Sequence, residues 1–149
     1  MSDAAQSAAG SGAVAQGAAG AASADACAPR APEDALVQYL LVRSDLDKQR
    51  YGRGALIAQG AHASVAALHE SRDQPATQAY LANLDAMHKI VLAAPSAEAI
   101  EGVAAALRSA RLGARVWVEQ PEAVVTALAT APAQRSVLAA FFQGLKLLR

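Results

Sequence analysis

Cysteine is almost missing from this sequence: Cys27 stands alone, so the chain forms no internal disulfide and no thiolate metal knuckle. A catalytic thiol needs a structured basic environment, and Cys27 falls instead in a low-complexity stretch. Long apolar runs are missing too, and nothing reaches the roughly 18 uninterrupted apolar residues of a membrane span. The alanine-rich start has no basic segment feeding a leucine-rich core, so the pattern of a secretory signal is not there. Asp3 and Asp25 precede the first arginine, Arg30, against a mitochondrial presequence. The cytosol is the expected compartment, with no membrane association.

Net charge is the last absence, with a formal value of zero from 13 basic and 13 acidic residues. The balance is uneven along the chain. Residues 1–35 carry Arg30 against Asp3, Asp25, Glu33 and Asp34, and the remainder holds 12 Lys and Arg against 9 Asp and Glu. The larger part is therefore mildly basic, which permits contact with a phosphate backbone without demanding it.

What is present divides at about residue 35. Residues 1–35 are mostly Ala, Gly and Ser, with Gly10, Gly12, Gly17 and Gly20 breaking any helix and no amphipathic face to dock. A disordered extension is expected there. Residues 36–149 read as one domain. Leu36, Val37, Gln38, Tyr39, Leu40, Leu41 and Val42 form the near-continuous apolar run of a strand covered on both faces. A polar loop follows to Gly54, and a helix is expected over Ala55–Ser71, with Ile57, Ala61, Ser64, Val65 and Leu68 as its apolar face. Ala55, Gln59, His62, Ala66 and His69 make the neighbouring stripe. A second helix is expected over Ala76–Ala86, and a strand over Lys89–Ala93. Ser96 suits the N-cap of a helix carrying Ile100, Val103, Ala104 and Leu107, with Gly113 placed to end it in a left-handed conformation. Strands at Arg115–Val118 and Val124–Ala129 and a helix over Ser136–Gly144 complete the series. The alternation predicts an α/β fold: a small three-layer sandwich, with a mixed sheet of about four strands and helices on both faces.

The segment LVQYLLVRSDL, followed by GRGALIAQGAHASVAALHES, resembles the start of a type 2 (archaeal and eukaryotic) peptidyl-tRNA hydrolase. KIVLAAPS and RVWVEQPE continue the likeness, which spans about residues 36–149. EQPE, TALATAP and the ending FFQGLKLL are most similar to a divergent branch, the peptidyl-tRNA hydrolase domain-containing proteins. The resemblance implies a sheet sandwiched by helices, and cleavage of the ester that joins a peptide to its tRNA. It also implies peptidyl-tRNA or tRNA as partner. Arg43, Asp45, Gly52, Arg53, Gly54, Gln59 and His62 match the family pattern. The family's catalytic lysine, aspartate and threonine fall on Ala55, Gln120 and near Val124.

Ester hydrolysis needs a directed water, a donor for the oxygen that becomes negative, and a hold on the tRNA. Alanine and valine supply none of these. Asp45, Gln59 and His62 are the remaining catalytic candidates. His62 has the chemistry of a general base near neutral pH, but it stands seven residues beyond Ala55, about 10 Å along a helix. Its plainer role is to fill a semi-buried notch, bonded to backbone or to Gln59. Arg43, Lys48, Arg50 and Arg53 cluster by the start of that helix, with Tyr51 as a ring to stack on a base, and form a candidate RNA-binding loop. The bland alternative is a solvated loop in which Asp45 and Asp47 pair with these cations. Trp117 is read as packing on the sheet. No histidine pair with a carboxylate has metal-site spacing, and neither metal nor cofactor is expected. Two functions stay open: an esterase acting on peptidyl-tRNA, and a catalytically inactive member that binds RNA or a protein partner through the same surface. Oligomeric state is left open as well.

Overall fold

The computed structural model describes residues 34–46 and 51–149. The expected disordered extension, apart from Asp34 and Ala35, lies outside the described residues, with Cys27 and the loop residues Asp47, Lys48, Gln49 and Arg50.

The elements run β1 (Leu36–Arg43), α1 (Arg53–Glu70), α2 (Pro75–Ala82), β2 (His88–Ala94), α3 (Ala97–Ser109), β3 (Ala114–Glu119), β4 (Val124–Thr130), β5 (Ala133–Gln134) and α4 (Arg135–Ala139). One five-stranded sheet has the order β2-β1-β4-β3, with the two-residue β5 pairing the start of β1. β1 and β2 are parallel, while β4 is antiparallel to both β1 and β3. The expected mixed sheet in three layers is present, with β5 added.

Alternation along β1 builds both faces. Val37, Tyr39 and Leu41 join Leu92, Ile100, Leu107, Leu128, Leu138 and Phe142 in the larger core, and Tyr39 stacks on Phe142 at 4.4 Å. Leu40 and Val42 point the other way, against Ala63 and Ala67 of α1 and Ala127 and Ala129 of β4. Small residues on both sides bring this helix close to the sheet: a methyl group at Gly60 would stand 3.3 Å from Val42 Cγ2.

The buried face of α1 is not the expected one. Gln59, Gly60, Ala63, Ser64 and Ala67 point inward, while Ile57 and Val65 are each 67% exposed. The two inward polar residues are both satisfied. Gln59 bonds Thr126 of β4, and Ser64 Oγ donates to Gln38 Oε1 of β1 at 2.7 Å. Gln38 also accepts from Lys89 Nζ at 2.6 Å and donates to the Thr130 carbonyl at 3.0 Å, so a polar residue is held inside an otherwise apolar strand. Bonded polar groups and small residues therefore set the rotation of α1, rather than its largest apolar side chains.

Other boundaries differ for local reasons. The second helix ends at Ala82 and a 3-10 turn covers Leu84–Ala86. The last helix is likewise short, passing into a 3-10 turn at Ala140–Phe142, and Gly144 is left-handed with φ 81°. Ser96 caps α3 as expected, accepting from the Ala99 amide at 3.3 Å. The left-handed residue after α3 is Arg111, with φ 57°, and not Gly113. Gly113 is needed for space, since a Cβ there would meet Ala131 Cβ at 3.0 Å.

The corrected face is open to a direct test by denaturant unfolding. Leu41→Ala is expected to cost about 2–5 kcal/mol, whereas Ile57→Ala and Val65→Ala change stability by no more than about 0.5 kcal/mol each. Losses above about 2 kcal/mol at Ile57 and Val65 would restore the face expected from periodicity.

Candidate functional site

The candidate residues gather where β1 ends, α1 begins and β4 enters the sheet. Five hydrogen bonds shape this end. Ser44 turns the chain out of β1 by placing both its amide (2.9 Å) and its hydroxyl (3.0 Å) on the Ala94 carbonyl at the end of β2. Arg43 reaches the Val125 carbonyl of β4 through Nη1 at 3.0 Å. Its Nε and Nη2 grip the two oxygens of Asp45 at 2.7 Å each, a bidentate pair that fixes the loop. The hydrogen bond from Arg43 holds the Asp45 carboxyl below its ordinary range, and the same bond raises the guanidinium further. Both groups are thus charged at neutral pH, and each is occupied by the other.

α1 starts at Arg53 behind Gly52, which offers no side-chain cap, and no acid stands in the first turn. The amides of that turn carry the partial positive charge of the helix end. A Cβ at either Gly52 or Gly54 would meet nothing within 4 Å, so this helix end is open to an approaching group. Arg53 is exposed beside it, and Ala55 is partly buried in the first turn. Tyr51, expected as a stacking ring, is only 9% exposed and belongs to the core.

One turn beyond Ala55, Gln59 is 4% exposed and receives the Thr126 hydroxyl on its Oε1 at 3.0 Å, with Thr126 itself fully buried. Thr126 escaped the sequence reading because VVTALAT looks like an ordinary buried strand. The hydroxyl that β4 contributes comes from Thr126, two residues past Val124, which lies opposite Glu119 at the mouth of the β3–β4 pair. The bond takes the amide oxygen of Gln59, leaving the nitrogen as the donor end of that side chain.

His62 follows one further turn along α1 and is exposed rather than set in a notch. Its ring stacks on Trp117 of β3, with centroids 4.9 Å apart and planes 22° from parallel. Trp117 therefore packs on the sheet, next to Ala127 across the strands, and also carries a surface ring on its outer side. The indole Nε1 donates to Glu119 at 3.0 Å. His62, Arg115, Trp117, Glu119 and Gln120 line an open cavity of about 570 Å³. Gln120 thus stands with His62, while Asp45 is tied to Arg43 at the end of β1. Among the described residues no three His, Cys, Asp or Glu side chains converge on a metal position, and no helix is long and apolar enough to cross a membrane.

Residues 36–148 match the family model for peptidyl-tRNA hydrolase PTH2. The chain belongs to the PTH2 family. Among curated proteins, "Putative peptidyl-tRNA hydrolase PTRHD1" of Homo sapiens is 38% identical over 116 residues, covering 76% of this chain and 83% of that protein. The Mus musculus protein of the same name is 37% identical over 116 residues with the same coverage. Among solved structures, the protein of unknown function Atu0240 from Agrobacterium has a TM-score of 0.48 and 13% identity, covering 76% of this chain and 98% of its own. The positions at which the resemblance implies a lysine and an aspartate, Ala55 and Gln120, lie apart: Ala55 is one turn before Gln59 on α1, and Gln120 lines the cavity with His62.

The Arg43–Asp45 pair gives a pH prediction. The Asp45 carboxyl is lowered in the folded state, so its contribution is fully present above the ordinary carboxylate range. It is lost as pH falls through the folded value. Acid titration of stability is therefore expected to be shallower in Asp45→Asn than in the natural chain below about pH 4. Identical acid limbs would show that the pair does not contribute.

Proposed function

We propose that this chain binds the ester end of peptidyl-tRNA at the open start of α1 and hydrolyses it slowly, with neutral groups where the resemblance implies charged ones. The observation that carries this reading is the buried bond from Thr126 to Gln59, one turn from Ala55. The bond occupies the Gln59 amide oxygen, and this reading assigns the side-chain nitrogen and the uncapped first-turn amides as donors to the oxygen that becomes negative as an ester is attacked. Water adds to the carbonyl carbon, the bond to the ribose oxygen breaks, and that oxygen takes up a proton as the tRNA leaves. Thr126, fully buried, acts through Gln59 as a positioning residue. Arg53, and Lys48 and Arg50 by sequence, supply positive charge for the phosphates, while Arg43 holds the loop through Asp45. Such an activity belongs with translation in the cytosol, where peptidyl-tRNA is produced.

A second reading, binding of tRNA without cleavage, is favoured by the bidentate engagement of Asp45, which occupies the carboxylate at this end of β1. His62 stacks one ring face on Trp117, and in the first reading its in-plane nitrogens remain a candidate base.

Cleavage of a defined peptidyl-tRNA by purified protein separates the two. Slow turnover is expected from the natural chain, and a rise of about a hundredfold or more from Ala55→Lys combined with Gln120→Asp, the range associated with one well-placed transition-state contact. Binding without detectable product, even with protein in excess, would select the second reading.

A further inference from the structure

The site has a second part that the ester chemistry does not use. His62 and Trp117 come from different elements, α1 and β3, and their rings lie nearly parallel at the surface. The indole is held from three sides. Its Nε1 is bonded to Glu119, its ring packs against the alanine-rich core under α1, and the imidazole stacks on it. The imidazole stays exposed, and with Trp117 it lines the open cavity shared with Arg115, Glu119 and Gln120. An exposed ring already backed by a second ring is pre-organised for a third flat π system, since no side chain must be ordered when the ligand arrives.

We propose that the His62–Trp117 pair is a platform on which one unpaired nucleobase of a single-stranded RNA end stacks. This rests on the reading that tRNA is the ligand of the cleft, and it names how the single-stranded end would be gripped. His62 lies one helical turn from Gln59, so a strand whose ester reaches Gln59 passes the platform within about a nucleotide's length. The surrounding groups match a base better than a phosphate at this spot. Glu119 places a carboxylate beside the rings, unfavourable for a phosphate, while Gln120 offers both a donor and an acceptor to a base edge. Arg115, two residues before Trp117 and on the same face of β3, also lines the cavity and would meet a neighbouring phosphate. Arg115 already bonds Glu70 at 2.7 Å, but this pair is half-exposed and exchanges partners at little cost. Stacking is tolerant of base identity because every base has a π face, so the platform would secure the end of any tRNA.

Trp117 is the only tryptophan in the chain, so its emission reports on this spot alone. The full chain is titrated with a fluorescently labelled single-stranded RNA tetranucleotide, reading polarisation of the label and, with unlabelled RNA, Trp117 emission. Binding with a change in Trp117 emission is expected, and a tetranucleotide with abasic sugars but the same phosphates should bind roughly tenfold more weakly and leave the emission unaltered. His62→Ala, an exposed position that leaves the core intact, should weaken the natural RNA by a similar factor and the abasic RNA hardly at all. Trp117→Leu is a second test, accepted only if its unfolding curve matches the natural chain. Equal binding of natural and abasic RNA, or unaltered affinity in His62→Ala, overturns the platform while leaving peptidyl-tRNA cleavage free to be observed. A response to an aromatic peptide but not to RNA would assign the rings to the peptide and also overturn it. No polarisation change with RNA or with whole tRNA removes the RNA reading of the entire cleft.

Discussion

The hydrogen bond from Thr126 to Gln59 joins the helix that opens the site to the strand behind it, and most of the local architecture follows from it. Both partners are buried, so either one alone would be left without water or a partner, at a cost of about 1–3 kcal/mol. The bond therefore fixes the rotation of α1 about its axis. With Gln59 inward, Gly60, Ala63 and Ala67 face the sheet, His62 turns toward β3, and Ile57 and Val65 are left outside. Ser64 on Gln38 makes a second attachment, with Lys89 closing the same polar group on the far side. Two neutral contacts thus hold one helix in a single orientation.

The Gln59 amide, the Thr126 hydroxyl and the first-turn amides of α1 are neutral groups, and Arg53, exposed at the same helix end, is the charged group beside them. The ion pair of Arg43 with Asp45 stiffens the turn out of β1. On the proposed reading, such a cleft would hold a substrate better than it accelerates its reaction, so slow hydrolysis and placement of the RNA end go together.

Much of the fold could be read from residues alone, because β1, β4 and α3 carry strong periodic or continuous apolar signals and Ser96 is an unambiguous cap. The face of α1 could not. Periodicity ranks Ile57 and Val65 as core, and only the partners across the sheet show that Gln59 and Ser64 are satisfied inside. Thr126 was hidden within a strand of small and apolar residues, and its role depends on a residue 67 positions away. The stacking of His62 on Trp117 is equally non-local, whereas Tyr51, an attractive ring by position, is buried. The left-handed turn after α3 was assigned to Gly113 by composition, but close packing on Ala131 claims that glycine and Arg111 takes the turn.

A double-mutant cycle on Gln59→Leu and Thr126→Val, followed by both unfolding and single-turnover cleavage of peptidyl-tRNA, addresses the pair directly. Each single variant is expected to lose about 1–3 kcal/mol by stranding its partner, and the double variant to lose clearly less than the sum, since two apolar groups leave nothing unsatisfied. Cleavage should stay lost in the double variant despite its recovered stability. Additive stability losses, or cleavage that returns together with stability, would contradict the central place given to this bond.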